Sequence, residues 1–202
     1  MKKVFTLILA LVMAMSLVAC GGSSSEESSG GDGGEASGGY KIGFSNFSIG
    51  NSWRQQMEAE FIQRAVELKA EGVISDYVML MADNDHAQQI DDIRSLVTQG
   101  CDAIIVSCIT ADGLNDVLEE AMDEGVVVIT FDNNATTDNI TLRVAADDYA
   151  YGQQCGEWLA EHVEDGSKII VLDGTAGTLN NENRHNGMLD AFTANSPNSE
   201  IL

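Results

Sequence analysis

The chain has 202 residues, which is enough for one large domain or two small ones. Ten basic residues against 32 acidic ones give a formal net charge of −22 at pH 7. A surface this acidic argues against a nucleic-acid-binding protein and against adhesion to anionic lipid.

The N-terminus has the pattern of an export signal. Two lysines, Lys2 and Lys3, precede an apolar run over residues 4–15, which is too short for a membrane span. The tetrad Leu17-Val-Ala-Cys20 then resembles the lipobox of bacterial lipoproteins, which implies cleavage before Cys20 and its S-acylation. An ordinary signal peptide with a chance cysteine is the alternative. We therefore predict a signal peptide over residues 1–19.

Residues 20–39 follow as the lipidated cysteine and a tether. The tract after Cys20 consists almost entirely of Ser, Gly and Glu, with no apolar residue larger than Ala36. Such a composition cannot bury apolar surface and is typical of a flexible linker. It would hold a folded domain away from a membrane surface.

From residue 41 onward, strand patterns alternate with helix patterns. Strands are predicted over residues 41–47, 77–81, 102–106, 126–131, 141–145 and 168–172, with the start of another at residue 200. The run over 102–106 is nearly all apolar, as expected of a parallel strand buried on both faces, and the run over 168–172 is predicted to be another buried strand. This alternation predicts an α/β fold with parallel strands and right-handed βαβ units.

The first helix begins near Ser52. Its apolar residues recur at spacings of four and three and predict one buried face, formed by Trp53, Met57, Phe61, Ala65 and Leu68. Glu58 is expected on the outer face.

Caps and inward residues are predicted for the later helices. Asp85 and Thr110 are candidate N-caps of the second and third helices, and Gly100 suits the left-handed end of the second. The helix after Asp148 is expected to pack through Tyr151, Cys155, Leu159 and Val163. Cys101 and Cys108 flank an apolar run and are expected to be buried as small hydrophobic residues, with a disulfide between them as the alternative.

Polar residues that follow the predicted strands are the candidate ligand-binding set, because ligands bind at the carboxyl edge of an open parallel sheet. The set consists of Asn51, Trp53, Arg54, Asp83, Asn84, Asp132, Asn133 and Arg184, and the predicted ligand-binding residues are these without Asp83 and Asn84. Sugar hydroxyls both donate and accept hydrogen bonds, so carboxylate, amide and guanidinium groups can satisfy them. The C–H faces of a sugar can stack on an aromatic ring. A place in the helix core is the alternative for Trp53, and a turn or cap role is the alternative for Asp132.

Catalytic and cofactor motifs are weak by comparison. The sequence contains no Gly-x-Ser-x-Gly, His-Glu-x-x-His or P-loop motif, and its three histidines are scattered. No cofactor and no metal are therefore expected. Acidic pairs for glycoside hydrolysis remain an open alternative, since acids are plentiful but nothing singles out one pair.

From residue 41 onward the chain resembles the type I periplasmic sugar-binding proteins, the ribose-, galactose- and galactofuranose-type components of ABC transporters. The resemblance is carried in order by 41–45, 90–106, 121–132, 144–148 and 174–178, with Arg184 and Gly187. It implies a periplasmic-binding-protein-like fold in which two doubly wound parallel-sheet lobes are joined by a hinge. The lobes would span residues 40–146 and 147–202. Family members usually continue for about a hundred residues, so the second lobe is expected to be incomplete.

The resemblance also implies roles for the candidate residues. Asn51, Trp53 and Arg54 would line the cleft, Asp132 and Asn133 would meet sugar hydroxyls, and Arg184 would reach in from the second lobe. Asp147 and Asp148 would lie near the lobe crossing. The chain departs from the ribose-type pattern of Asn-Pro-Phe-Phe and Asp-Arg, because it has Asn51-Ser-Trp-Arg54 and Asp132-Asn133. The Trp-Arg pair is similar to the galactofuranose-type branch.

The leading functional expectation is a lipid-anchored, monomeric sugar-binding protein of the cell envelope that delivers its ligand to an ABC transporter permease. It would catalyse no reaction and bind no nucleic acid. A sugar sensor that serves a chemoreceptor or sensor kinase is a close alternative. An extracytoplasmic hydrolase on the same scaffold is the alternative from a different class.

Overall fold

The computed structural model describes residues 38–202. The predicted signal peptide, the lipidated Cys20 and nearly all of the tether lie outside these residues. Twelve elements follow in order: β1 (Tyr40–Asn46), α1 (Ser52–Ala70), β2 (Ile74–Met81), α2 (His86–Thr98), β3 (Ala103–Ser107), α3 (Asn115–Asp123), β4 (Val127–Phe131), β5 (Leu142–Val144), α4 (Asp148–His162), β6 (Lys168–Ile169), α5 (Leu179–Asn195) and β7 (Glu200–Ile201). None of these helices is both long enough and apolar enough to cross a membrane.

The first five strands form one parallel sheet in the order β2-β1-β3-β4-β5. Helices cover both faces, since neighbouring residues of β3 pack in opposite directions. Ile104 joins the buried cluster with Leu96 of α2 and Leu118 of α3, whereas Ile105 lies beside Phe61 of α1. This arrangement confirms the predicted α/β class with a parallel, doubly wound sheet.

The buried face of α1 differs from the predicted stripe. Ala65 is buried and Phe61 packs on Phe44 with ring centroids 4.7 Å apart, but the Trp53 side chain is 54% exposed. Arg54 and Glu58 are buried instead, so the expectation that Glu58 lies on the outer face is wrong. The reason is that the first turns of α1 lie over the polar carboxyl edge of the sheet, where they meet hydrogen-bonding groups rather than apolar side chains.

Of the two predicted helix N-caps, the structure confirms one. The Asp85 side chain accepts a hydrogen bond from the backbone N–H of Gln88 at 3.1 Å, which confirms this cap. Thr110 does not cap α3, because the helix starts later, at Asn115, and has no side-chain cap.

Cys101 and Cys108 are buried and unpaired, and burial raises the pKa of the Cys108 thiol to about 12.

The remaining elements pair α4 with α5 and place β6 beside β7 in a separate two-stranded parallel sheet. The predicted buried strand over 168–172 is much shorter and is exposed: Leu172 is 93% accessible. Apolar residues of a strand are buried only where other elements cover its faces. Among residues 38–202, β6 has β7 as its single paired strand, and Ile170 and Leu172 beyond it stay exposed.

The closest contacts between α4 and α5 are at glycines, although the predicted residues Leu159 and Val163 are partly buried. A Cβ atom added at Gly152 would overlap the backbone carbonyl of Arg184, and one at Gly156 would overlap that of Met188. Tyr151 and Cys155 are exposed on the neighbouring side of α4. The hydrophobic period was therefore wrong for Tyr151 and Cys155, because the close approach of the two helices requires small residues at the contact.

Candidate functional site

A cleft of about 980 Å³ opens between the carboxyl edge of the five-stranded sheet and the α4–α5 pair. The structure brings all six sequence-predicted residues to its walls: Asn51, Trp53, Arg54, Asp132, Asn133 and Arg184. The first five come from the loops after β1 and β4 and the start of α1, and the sixth comes from α5.

Arg54 is the most tightly held of these residues and is only 5% exposed. Its Nη1 donates to Asn46 Oδ1 at 2.8 Å and to Ser107 Oγ at 3.2 Å, and its Nη2 donates to Asp132 Oδ2 at 3.1 Å. The guanidinium carbon lies 3.9 Å from the centre of the Phe47 ring. Burial lowers the pKa of Arg54, an effect that the charge of Asp132 opposes. The arginine stays charged because its ordinary pKa is so high.

Asp132 follows directly after β4 and has a left-handed backbone with φ of 57°. This conformation is uncommon for residues other than glycine, although aspartate tolerates it better than most. Its second carboxylate oxygen, Oδ1, accepts from Asn180 Nδ2 at 3.3 Å. Burial raises the pKa of Asp132, while the Arg54 guanidinium opposes that rise. A half-buried carboxylate with both oxygens facing donors suits a hydroxyl-rich ligand.

Asn133 is 8% exposed, and its backbone carbonyl accepts from the backbone N–H of Cys108 at 2.8 Å. This bond ties the loop after β4 to the end of β3. Asn133 thus lies in the cleft wall as part of a fixed loop.

Asn51 and Trp53 form the start of α1. Asn51 is its N-cap, and Oδ1 accepts from the backbone N–H of Arg54 at 3.0 Å. Trp53 lies at the mouth of the cleft with its ring 5.8 Å from the Arg54 guanidinium carbon. The exposed ring favours the ligand-facing interpretation of Trp53 over a place in the core.

Arg184 reaches the cleft from α5. Its Nε donates to Asp148 Oδ1 at 2.6 Å, and the Asp148 side chain is only 5% exposed. Its guanidinium also lies 5.3 Å from the Tyr151 ring. Asp147 instead caps α4, with Oδ1 accepting from the backbone N–H of Ala150 at 2.9 Å. The sequence placed both aspartates near this region but did not show which of them pairs with Arg184.

Two features of the cleft were not predicted. Asn180 was not among the candidates, although it stands in the first turn of α5 directly after a strand-end loop, which is the signal that could have found it. The backbone N–H of Ala111 also donates to the carbonyl of Gly177 at 3.2 Å. Together with the Asn180–Asp132 bond, this contact links the sheet edge to the segment that precedes α5.

A second, smaller cavity of about 480 Å³ lies between α1 and the adjoining sheet face. Its lining is mainly apolar: Phe44, Trp53, Met57, Phe61, Ile105 and Phe131, with Gln56 and Glu60. It lacks the paired charges of the larger cleft, so the cleft is the better place for a hydroxyl-rich ligand.

A model of the periplasmic binding protein domain matches residues 42–202, nearly the whole of the described part of the chain. The chain belongs to this family. The fold and family that the sequence motifs implied are thereby confirmed.

Similar proteins and solved structures include sugar-binding proteins. The galactofuranose-binding protein YtfQ of Escherichia coli K12 is 30% identical over 167 residues, covering 80% of this chain and 50% of the relative. The arabinose-transporter binding protein of Shewanella sp. ANA-3, solved with arabinofuranose, is 30% identical with a TM-score of 0.69 over 80% of this chain and 53% of that one.

A third similar protein has a different context. The fructose-binding periplasmic domain of the hybrid two-component system BT1754 is 26% identical, with a TM-score of 0.73 over 81% of this chain and 52% of that one. The chain spans about half the length of the curated relatives it matches.

Proposed function

We propose that this periplasmic binding protein is an extracytoplasmic, lipid-anchored protein that captures a monosaccharide, a pentose or hexose including furanose forms, and delivers it to an ABC transporter permease. The observation that carries the proposal is that two ion pairs supply charged groups to opposite walls of one cleft. Arg54 with Asp132 lies at the sheet edge, Arg184 with Asp148 lies on the helix pair, and Trp53 stands exposed at the mouth.

The chemistry of the cleft fits a sugar in three ways. Carboxylate oxygens of Asp132 accept hydrogen bonds from hydroxyls, and the arginines donate to hydroxyl or ring oxygens. The face of Trp53 offers an apolar surface to sugar C–H groups. A ligand that lacks a matching hydroxyl would leave these partly buried groups unpaired, which supplies specificity.

Capture would involve two lobes, residues 40–146 and 147–202, that close around the sugar. Two hydrogen bonds already join residues 40–146 to residues 147–202: Ala111 N–H to the Gly177 carbonyl, and Asn180 Nδ2 to Asp132 Oδ1. A sugar that contacts both sides binds the closed arrangement better than an open one, and this difference in affinity would drive hinge closure. Closure is the whole mechanism, so no reaction, cofactor or metal is involved.

The N-terminal residues support the cellular setting. The signal pattern over 1–19, Cys20 and the tether would place the domain outside the cytoplasm as a membrane-anchored monomer. The arabinose-transporter binding protein and the fructose-binding domain, which are both described as periplasmic, agree with that side of the membrane.

Sugar sensing is the second candidate. The similarity to the fructose-binding periplasmic domain of a hybrid two-component system favours it, because that protein binds sugar within a signalling chain. Neighbouring genes distinguish the two roles: permease and ATPase genes indicate transport, whereas a receptor or kinase gene indicates sensing.

The proposed function is tested with a calorimetric panel on the full-length protein. L-Arabinose, D-galactose, D-ribose, D-fructose and the cyclitol myo-inositol are titrated separately, and each compound is recovered afterwards by chromatography. Micromolar or tighter binding of at least one sugar, recovered intact, supports capture. Release of p-nitrophenol from p-nitrophenyl glycosides, incubated with the protein in a separate arm, would instead support the hydrolase. Absence of heat with every sugar would contradict the proposal.

A further inference from the structure

Two buried polar residues beside Arg54 do not line the cleft. Asn46, the last residue of β1, is 0% exposed, and Glu58, one helical turn after Arg54 in α1, is 7% exposed. Burying polar groups costs free energy unless hydrogen bonds compensate. Their partners therefore indicate what these two residues do.

The Asn46 amide is fixed in one orientation. Its Nδ2 donates to Glu58 Oε1 at 2.9 Å and to the backbone carbonyl of Ser48 at 2.7 Å, which uses both of its N–H groups. Its Oδ1 consequently faces the other way and accepts from Arg54 Nη1 at 2.8 Å. Glu58 Oε1 is the acceptor in this contact, so a rotated amide that brought Asn46 Oδ1 against it would set two acceptor oxygens together and is disfavoured.

This fixed amide is one of three acceptors that hold the guanidinium of Arg54. The other two are Ser107 Oγ at the end of β3 and Asp132 Oδ2 after β4. The three acceptors come from three different strand ends and define the plane of the guanidinium group, which also stacks on Phe47. Binding groups that are held before the ligand arrives lose less conformational freedom on binding.

We propose that Glu58 is a positioning residue for the ligand site: through Asn46 it sets the orientation of the Arg54 guanidinium without touching the ligand. The proposal rests on the proposed sugar-binding function and adds a determinant of affinity that lies outside the cleft wall. It also explains why α1 buries a carboxylate where its sequence pattern predicts an outer position.

The experiment is a double-mutant cycle on the full-length protein, read by calorimetry with the tightest sugar of the panel. Glu58→Leu removes the acceptor for Asn46 while keeping an apolar side chain of similar size. We expect affinity to fall roughly tenfold, as for residues coupled in one hydrogen-bond network. Glu58→Gln keeps an acceptor oxygen and should bind within about twofold of the parent. Glu67→Leu, an exposed site on the same helix, is the matched control and should not change affinity.

The cycle separates positioning from a general structural effect. In the Arg54→Met background, Glu58→Leu should weaken binding no further, because the group that it positions is gone. Equal losses in both backgrounds would overturn the positioning role while leaving sugar binding intact. A parent that binds no sugar, or an Arg54→Met variant that binds normally, would overturn the role together with its functional basis.

Folding of the variants is checked by circular dichroism and thermal unfolding. If Glu58→Leu does not fold, Asn46→Ala takes its place, since it removes the carboxamide that joins Glu58 to Arg54 and leaves no acceptor there. It should show the same loss with Arg54 present and no further loss in the Arg54→Met background. Full affinity in Asn46→Ala would refute the proposal.

Discussion

Replacement of Asp132 by alanine tests the centre of the proposed site. The carboxylate accepts from Arg54 at 3.1 Å and from Asn180 at 3.3 Å, and it is the acidic group of the cleft nearest to the buried guanidinium. A hydrogen bond between a charged group and a ligand hydroxyl contributes about 1.5–3 kcal/mol. Losing about 2 kcal/mol corresponds to an affinity decrease of roughly 30-fold.

The same substitution should also affect the ligand-free protein. Removing one partner of a buried ion pair typically costs about 3–5 kcal/mol. Arg54 keeps its bonds to Asn46 and Ser107, so the loss of unfolding free energy should lie at or below the lower end. A destabilisation of about 2–3 kcal/mol would lower Tm by roughly 4–12 °C for a domain of this size.

Calorimetry and thermal unfolding of the full-length protein measure both effects. Asp138→Ala is the matched control, because Asp138 lies in the segment that follows and its side chain is fully exposed. It should leave affinity and Tm unchanged. Unaltered sugar affinity in a folded Asp132→Ala variant would refute the assignment of the binding site, whatever the change in Tm.

Three further predictions concern the pH dependence of binding, the contact between α4 and α5, and the lipid anchor. Burial raises the pKa of Asp132, and its ionised form is the one that accepts from hydroxyls, so affinity should begin to fall on acidification above the ordinary aspartate range near pH 4. Calorimetry between pH 7 and 4 should show this step in the parent and lose it in Asp132→Asn. Gly152→Ala should lower Tm by several degrees, because the added methyl group overlaps the Arg184 carbonyl. Gly72→Ala is the matched control: an added Cβ there has no neighbour within 4 Å, so it introduces only the strain of a φ of 76° and should lower Tm less. Mass spectrometry of membrane fractions should find diacylglyceryl Cys20 at the N-terminus, and a mature chain that begins elsewhere would disprove the lipid anchor.

The sequence was most informative where local pattern and tertiary setting agree. Strands β3 and β4 are short apolar runs between turn residues, and a parallel sheet covered on both faces requires that pattern. Their positions also brought the residues after each strand to one edge. The strand pattern therefore predicts that the residues after β1 and β4 share one edge of the sheet, whereas the place of Arg184 followed from the family resemblance.

The hydrophobic pattern failed to predict buried polar side chains and helix contacts in which the backbones approach closely. Glu58 looks like a solvent-facing residue because helical periodicity counts only apolar side chains, yet its partner Asn46 comes from a different strand. The α4–α5 contact was missed for a similar reason: Gly152 and Gly156 add nothing to a hydrophobic stripe, although they allow the backbones to approach. Pairing of Arg184 with Asp148 depends on that approach, so it too could not be read from spacing.

The most direct test of the account is a crystal structure of the full-length protein with the sugar that binds most tightly in the panel. We expect sugar hydroxyls within about 3.2 Å of the Asp132 carboxylate and the Arg54 guanidinium, with a sugar face against Trp53. Arg184 should contact the same molecule from the opposite wall of the cleft. A sugar bound elsewhere, with Asp132 and Arg54 still paired only to protein groups, would contradict it.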